Sequence, residues 1–288
     1  ACSLLHAAGT GYGASIALDL PIIVKALDRP SKRQLEDSDD VLPAVVEAWI
    51  GNGLALPEGL EANDIHWAVA SKIPQNRGLK SSAALSVAGI KALCEATNTD
   101  LSDFEIVSLS SQAQVNAGVS ITGSIDDSWA CLTKGWRLIN ANAEDIESGV
   151  VMSGPGPNPD DWIVLIAARD ERKARPELEN FAPLFQEFEK ALIALQQGEL
   201  LNCLTINGRA VCSVTNDLQG RKIANDAFIN GARASGVTGS GPAVVIIIPS
   251  LVRSSAERIK SALSRLMSSD QIIETKFLSL DTDELEIE

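Results

Sequence analysis

The chain has 288 residues, 45% of them hydrophobic and 22% charged, and a formal net charge of −14 at pH 7. This is the composition of an ordinary globular protein, with length for two modest domains. A field of that sign repels nucleic acid and anionic membranes, so neither is an expected partner. Any phosphorylated ligand would have to find positive potential supplied locally.

Five cysteines (Cys2, Cys94, Cys131, Cys203, Cys212) include no C-x-x-C pair, and several lie in apolar runs. Reduced, buried thiols and a cytoplasmic location are expected. His6 and His66 are the two histidines, and neither has a metal-ligand partner at helical or hairpin spacing. A zinc site or a Ser-His-Asp triad is therefore not expected. No run approaches the ~18 apolar residues of a membrane span. The opening residues read as strand or loop rather than a basic-then-apolar signal segment, and some leading residues are expected to be missing.

Residues 3–8 and 14–27 are apolar and partly alternating around Gly9, Gly11 and Gly13, which reads as two strands flanking a glycine-rich loop. Residues 29–40 form a polar loop or hairpin tip. A helix is predicted over 41–54, a strand over 65–73 and a loop over 74–80. The alanine-rich stretch 81–97 has helical periodicity, with Asn98 as its stop. A second helix spans 101–117, capped by Ser102 or Asp103. Residues 118–127 are a loop and 129–139 a strand, with Trp129 and Trp136 as core residues. The Gly-, Pro- and Asp-rich stretch 148–161 is the candidate boundary between a domain at 1–150 and one at 151–288. Beyond it come a strand at 162–168, two or three helices between 176 and 233, a strand at 243–248, a helix at 254–267 and a strand at 271–280. The fold class is α+β.

Three loops carry candidate chemistry. The first, residues 74–84, reads P-Q-N-R-G-L-K-S-S-A-A and runs from a strand into the 81–97 helix. The first amides of a helix lack intrahelical partners and sit at the positive end of its dipole, which suits phosphate. Arg77, Gly78, Leu79, Lys80, Ser81, Ser82 and Ala83 are the candidate phosphate-binding residues. The hydroxyls of Ser81 and Ser82 can bond a phosphate oxygen or a metal ion. Simple N-capping by serine explains the same residues without any ligand. The string is not a P-loop, which needs Gly, four residues and then Gly-Lys-Ser/Thr.

The second loop, 236–243 (G-V-T-G-S-G-P-A), is an open, amide-rich turn in which Gly239, Ser240 and Gly241 could lie against a triphosphate or steady the first loop. A tight connection into a buried strand accounts for it equally. The third, 123–129 (G-S-I-D-D-S-W), offers Asp126 and Asp127 as proton acceptors or metal ligands, or else as a solvated turn.

Together, and in this order, the loops resemble those of the GHMP kinase superfamily: P-x-x-x-G-L-x-S-S-A-A at 74–84, then the C-terminal glycine motif at 236–243. Within it the chain is most similar to archaeal shikimate kinases. Residues 9–19 (GTGYGASIALD), 122–127 (TGSIDD) and 206–212 (INGRAVC) carry that likeness. The resemblance implies an N-terminal ribosomal-protein-S5-like domain and a C-terminal ferredoxin-like domain. It also implies phosphorylation of shikimate by Mg-ATP to 3-phosphoshikimate, with Asp126 as catalytic aspartate and Asp127 beside it. Gly11, Gly13, Ser15, Asp19, Arg172 and Thr238 are the candidate substrate residues. For the shikimate carboxylate the basic cluster Arg169, Arg172, Lys173 and Arg175 is a further candidate. A monomer or homodimer is expected.

Two departures from the family pattern stand out. Lys80 occupies a position where many members have glycine or serine. Several members have a magnesium-binding acid some ten residues before the aspartate, where this chain has Gln112, Gln114 and Asn116. The alternatives are another kinase of the superfamily, acting on homoserine, mevalonate or a sugar, and an inactive ligand-binding paralogue.

Overall fold

A computed structural model of the chain describes residues 1–33, 37–120, 122–170, 172 and 176–280. The elements of the first half are β1 (Cys2–Leu5), α1 (Ala7–Thr10), β2 (Tyr12–Ile16), β3 (Ile22–Leu27), α2 (Val41–Gly51), β4 (His66–Ser71), α3 (Ser81–Thr97), α4 (Asp103–Asn116), α5 (Asp126–Leu132), β5 (Trp136–Asn140), α6 (Ile146–Gly149) and β6 (Val150–Gly154). Those of the second half are β7 (Trp162–Ala167), α7 (Phe185–Gln196), α8 (Leu200–Val214), α9 (Leu218–Ile229), β8 (Ala234–Val237), β9 (Val244–Pro249), α10 (Arg253–Leu263) and β10 (Ile272–Thr275).

The first half builds an antiparallel sheet in the order β1-β2-β5-β6 and a separate two-stranded antiparallel sheet of β3 and β4, with α2 between them in the chain. The second builds an antiparallel sheet in the order β10-β7-β9-β8, the arrangement of a ferredoxin-like domain. Residues 155–161 link the two sheets. Buried aliphatic side chains from β1, β2 and β5 join those of β7, β9 and α8 in one continuous core. After β10 the chain returns to the first sheet: Leu278 N–H donates to the Ala17 carbonyl and Gly135 N–H to that of Leu278.

Local chemistry sets the helix ends. Ser102 and Glu105 form a reciprocal capping box on α4. Asn98 ends α3 in the left-handed conformation, φ 53°, with its N–H on the Cys94 carbonyl. The Asp37 carboxylate accepts the first two amides of α2, from Val41 and Leu42.

Three expectations need correction. The strand predicted over 129–139 is instead helix α5 followed by the short strand β5. One apolar face of α5 packs Trp129 against Val107, Ile125 and Ile139, and seven residues are too few to distinguish helical period from alternation. Residues 7–10 form a helical turn between β1 and β2. Residues 236 and 237, read as the start of the 236–243 turn, belong to the buried edge strand β8. Trp129 and Trp136 are core residues, as expected, and all five cysteines are free. Among the described residues no helix is long and apolar enough to cross a membrane.

Candidate active site

The 74–84 loop enters α3 through Lys80, the N-cap residue, which has φ 64° and offers no side-chain cap. A left-handed lysine is strained. Here its side chain turns inward, and Nζ lies 2.5 Å from Asp127 Oδ1. The opening amides of the 17-residue helix α3 are therefore left to face a cavity of about 350 Å³.

The second glycine loop locks the first in place. Gly78, at φ 84°, passes so close that a Cβ there would stand 2.1 Å from the Thr238 carbonyl oxygen. A Cβ on Gly241 would stand 2.2 Å from Gly78 N. The Thr238 hydroxyl donates to the Gly78 carbonyl at 3.2 Å, and Ala243 N–H donates to that of Arg77. Only glycines permit this approach.

Across the cavity, the first turn of α5 presents Asp126 and Asp127. Asp126 is buried. Its carboxylate accepts from the Ser124 hydroxyl at 2.5 Å and from the Ser15 hydroxyl at 2.6 Å. Burial and the neighbouring Asp127 charge push its pKa up to about 7, against the opposing pull of Lys80 and the two serines. Burial alone would also raise Asp127, but the Lys80 ammonium outweighs it and holds this carboxyl below the usual range. Lys80 is raised in turn, because the two carboxylates outweigh its own burial. The cluster thus holds an ionised Lys80–Asp127 pair beside a carboxyl poised to gain or lose a proton near neutrality.

Gly78, Lys80, Ser81, Ser82, Ala83, Asp126, Asp127, Arg172, Gly239, Ser240 and Gly241, all expected from the sequence, line this one cavity. Arg172 Nε donates to the Ser240 carbonyl at 3.0 Å, and Nη2 reaches Asp217 at 2.7 Å and the Gly241 carbonyl at 3.1 Å. Asp217 also takes both terminal nitrogens of buried Arg169, whose Nε donates to the Pro242 carbonyl. This ion cluster anchors the second glycine loop, and the two arginines hold the Asp217 carboxyl below its usual range against the effect of its burial. Lys173 and Arg175 lie outside the described residues.

Other expected residues stand off the cavity wall. Leu79 is fully buried and packs in the core. The Arg77 guanidinium donates to the Arg169 carbonyl, so it braces the loop from behind. Thr238 is buried between the Gly78 carbonyl and Ser3 N–H, too enclosed to touch a substrate. Ser15 is buried, and its hydroxyl donates to Asp126 and, at 3.0 Å, to Asp127, so it orients the acids. Gly13 gives the Asp126 carboxylate its space, since a Cβ there would stand 2.5 Å from Oδ1. Gly11 ends α1 at φ 80°. Asp19 is exposed where the returning C-terminal segment crosses, and its carbonyl accepts from the Thr275 hydroxyl. Sequence reasoning missed His6, Asn76 and Ser120 on the wall and Asp217 behind it. Gln114 also lines the cavity, with Nε2 donating to the Ser128 hydroxyl at 3.0 Å.

Among the described residues no group of three or more His, Cys, Asp or Glu could hold a metal ion. Mg²⁺ needs less, because it binds through one or two carboxylates together with substrate phosphates and water. The hydroxyls of Ser81 and Ser82 and the carboxylates of Asp126 and Asp127, which line one cavity, fit that requirement.

Residues 45–135 match the family described as GHMP kinases N terminal domain. The chain is 27% identical over 183 residues to the shikimate kinase of Methanothermobacter thermautotrophicus, 62% of this chain and 61% of that protein. It is 27% identical over 292 residues to the shikimate kinase of Methanocella arvoryzae, covering 94% and 95% of the two chains. The crystal structure of the Methanococcus jannaschii mevalonate kinase superposes with a TM-score of 0.69 at 18% identity, over 96% of both chains. The chain therefore matches the GHMP kinases N terminal domain over residues 45–135, has the two-domain fold of those solved kinases and resembles the archaeal shikimate kinases.

Proposed function

We propose that this chain, with its GHMP kinase fold, transfers the γ-phosphoryl group of ATP to the 3-hydroxyl of shikimate, yielding ADP and 3-phosphoshikimate. The observation that carries the reading is a shared cavity, lined by both the uncapped start of α3 and the Asp126–Asp127–Lys80 cluster. Relatives named shikimate kinase, one matched along 94% of this chain, favour shikimate as acceptor. The fold is neutral on this point, since a mevalonate kinase shares it.

In this reading the amides of Ser81, Ser82 and Ala83, with Gly239 to Gly241 opposite, cradle the phosphate chain. Arg172 adds fixed positive charge from the glycine-loop side. Magnesium, held by Ser81 or Ser82 and an Asp carboxylate, would neutralise charge on the β- and γ-phosphates. The ionised Asp126 carboxylate accepts the hydroxyl proton as the alcohol oxygen bonds to the γ-phosphorus and the bond to the β-phosphate oxygen breaks, releasing ADP. Lys80, fixed by Asp127, offsets the negative charge gathered between the acids and the phosphates. Positioning and charge neutralisation supply most of the acceleration in such transfers.

The test incubates the protein with Mg-ATP and shikimate, homoserine, mevalonate or galactose in parallel, with products read by mass spectrometry and ADP by a coupled assay. One 3-phosphoshikimate per ADP is expected. Phosphorylation of a different alcohol would overturn the substrate, and ATP binding with no phosphorylated product would overturn the kinase reading.

A further inference from the structure

We infer that His6 selects the acceptor: its imidazole Nε2–H donates to a hydroxyl adjacent to the one being phosphorylated, which favours vicinal diols over simple alcohols. The inference rests on the kinase reading above and adds a recognition residue to the same cavity.

His6 follows β1 directly and caps α1, and its ring is part of the cavity wall. Two contacts fix the ring and a third fixes the backbone. Nδ1 accepts from Ala8 N–H at 3.2 Å. The His6 backbone N–H donates to Asn207 Oδ1 at 2.9 Å. The ring packs against Phe181, with centroids 4.7 Å apart. Burial, reinforced by the nearby Lys80 charge, lowers the pKa to about 4, so the ring is neutral at physiological pH. A neutral imidazole that accepts at Nδ1 carries its proton on Nε2. Among the described residues Nε2–H has no acceptor.

His6 lines the same cavity as Lys80, Asp126 and Asp127. A fixed, uncharged donor beside the acids cannot act as the base, because it has no lone pair to offer at Nε2. It can hold a second oxygen of the acceptor. Shikimate has a hydroxyl next to the reacting 3-hydroxyl. A site built to bond a hydroxyl discriminates strongly against an analogue lacking it.

The test compares wild type with His6→Asn and His6→Gln. Asparagine keeps the acceptor that caps Ala8 but removes the distal donor, whereas glutamine can restore a donor near Nε2. KM for shikimate should rise about tenfold in His6→Asn, with KM for ATP and Tm little changed, and recover in His6→Gln. The 4-deoxy analogue of shikimate should bind wild type about tenfold more weakly than shikimate, and His6→Asn should no longer distinguish the two. Calorimetric titration of shikimate and its deoxy analogue reads the same comparison without turnover and applies to wild type alone if a variant does not fold. An unchanged KM in His6→Asn, or wild type binding both compounds equally, would overturn the role of His6. Absence of any phosphorylated acceptor with wild type would instead strike the kinase reading.

Discussion

At the scale of single residues, the proposed reaction turns on one buried carboxyl. Asp126 sits near a pKa of 7 because burial and Asp127 oppose its ionisation more than Lys80 and two serine hydroxyls favour it. A base must be ionised to act, so kcat/KM should rise with pH through an acid limb near 7. Lys80→Met removes a cation that favours the carboxylate, so the limb should move to higher pH. A profile unchanged in position would show that Lys80 does not act on the base. Asp217 offers a stability counterpart. Its folded pKa is depressed, so its contribution is present above the ordinary carboxylate pKa and is lost as pH falls through the folded value. Asp217→Asn leaves Arg169 buried beside a neutral amide, and denaturant titration at pH 7 should show a loss of about 3–5 kcal/mol. A loss under about 1 kcal/mol would mean the arginines find other partners.

At the scale of elements, two glycine loops clamp each other at the mouth of α3. Gly78→Ala introduces a Cβ 2.1 Å from the Thr238 carbonyl oxygen at a backbone angle alanine disfavours. It should lower stability by more than about 1 kcal/mol and raise KM for ATP, measured by thermal melts and initial rates. Normal ATP binding would mean that the clamp does not shape the cradle. These elements were also where the sequence was most and least legible. The span of α3 was readable to the residue, because an alanine-rich periodic run begins at Ser81 and a left-handed asparagine closes it at Asn98. Helix α5 was not, because its seven residues hold barely two turns and its apolar positions mimic a strand. The phosphate loops were legible because glycine and serine spacing encodes close approach. The inward turn of Lys80, the seat of Ser15 behind the acids and the place of His6 depend on strands and helices far apart in sequence, and no local pattern announces them.

At the scale of the whole molecule, the cavity is walled by both halves of the chain: α3 and α5 from the first, Arg172 and the 239–241 loop from the second. The halves share one apolar core, and the C-terminal segment returns to pair with the first sheet. Calorimetry should therefore find one cooperative unfolding transition, and two separated transitions would show the halves to be independent. With a net charge of −14, the proposed function requires the local amides and cations to supply the attraction for a polyphosphate. The most direct test of the account is Asp126→Asn, measured for turnover with saturating Mg-ATP and shikimate and for ATP affinity by titration. Turnover should fall by about 10²–10⁴ while ATP binds within a few-fold of wild type. Near-normal turnover, or ATP affinity lost in step with turnover, would contradict a base at Asp126 facing a phosphate cradle at the start of α3.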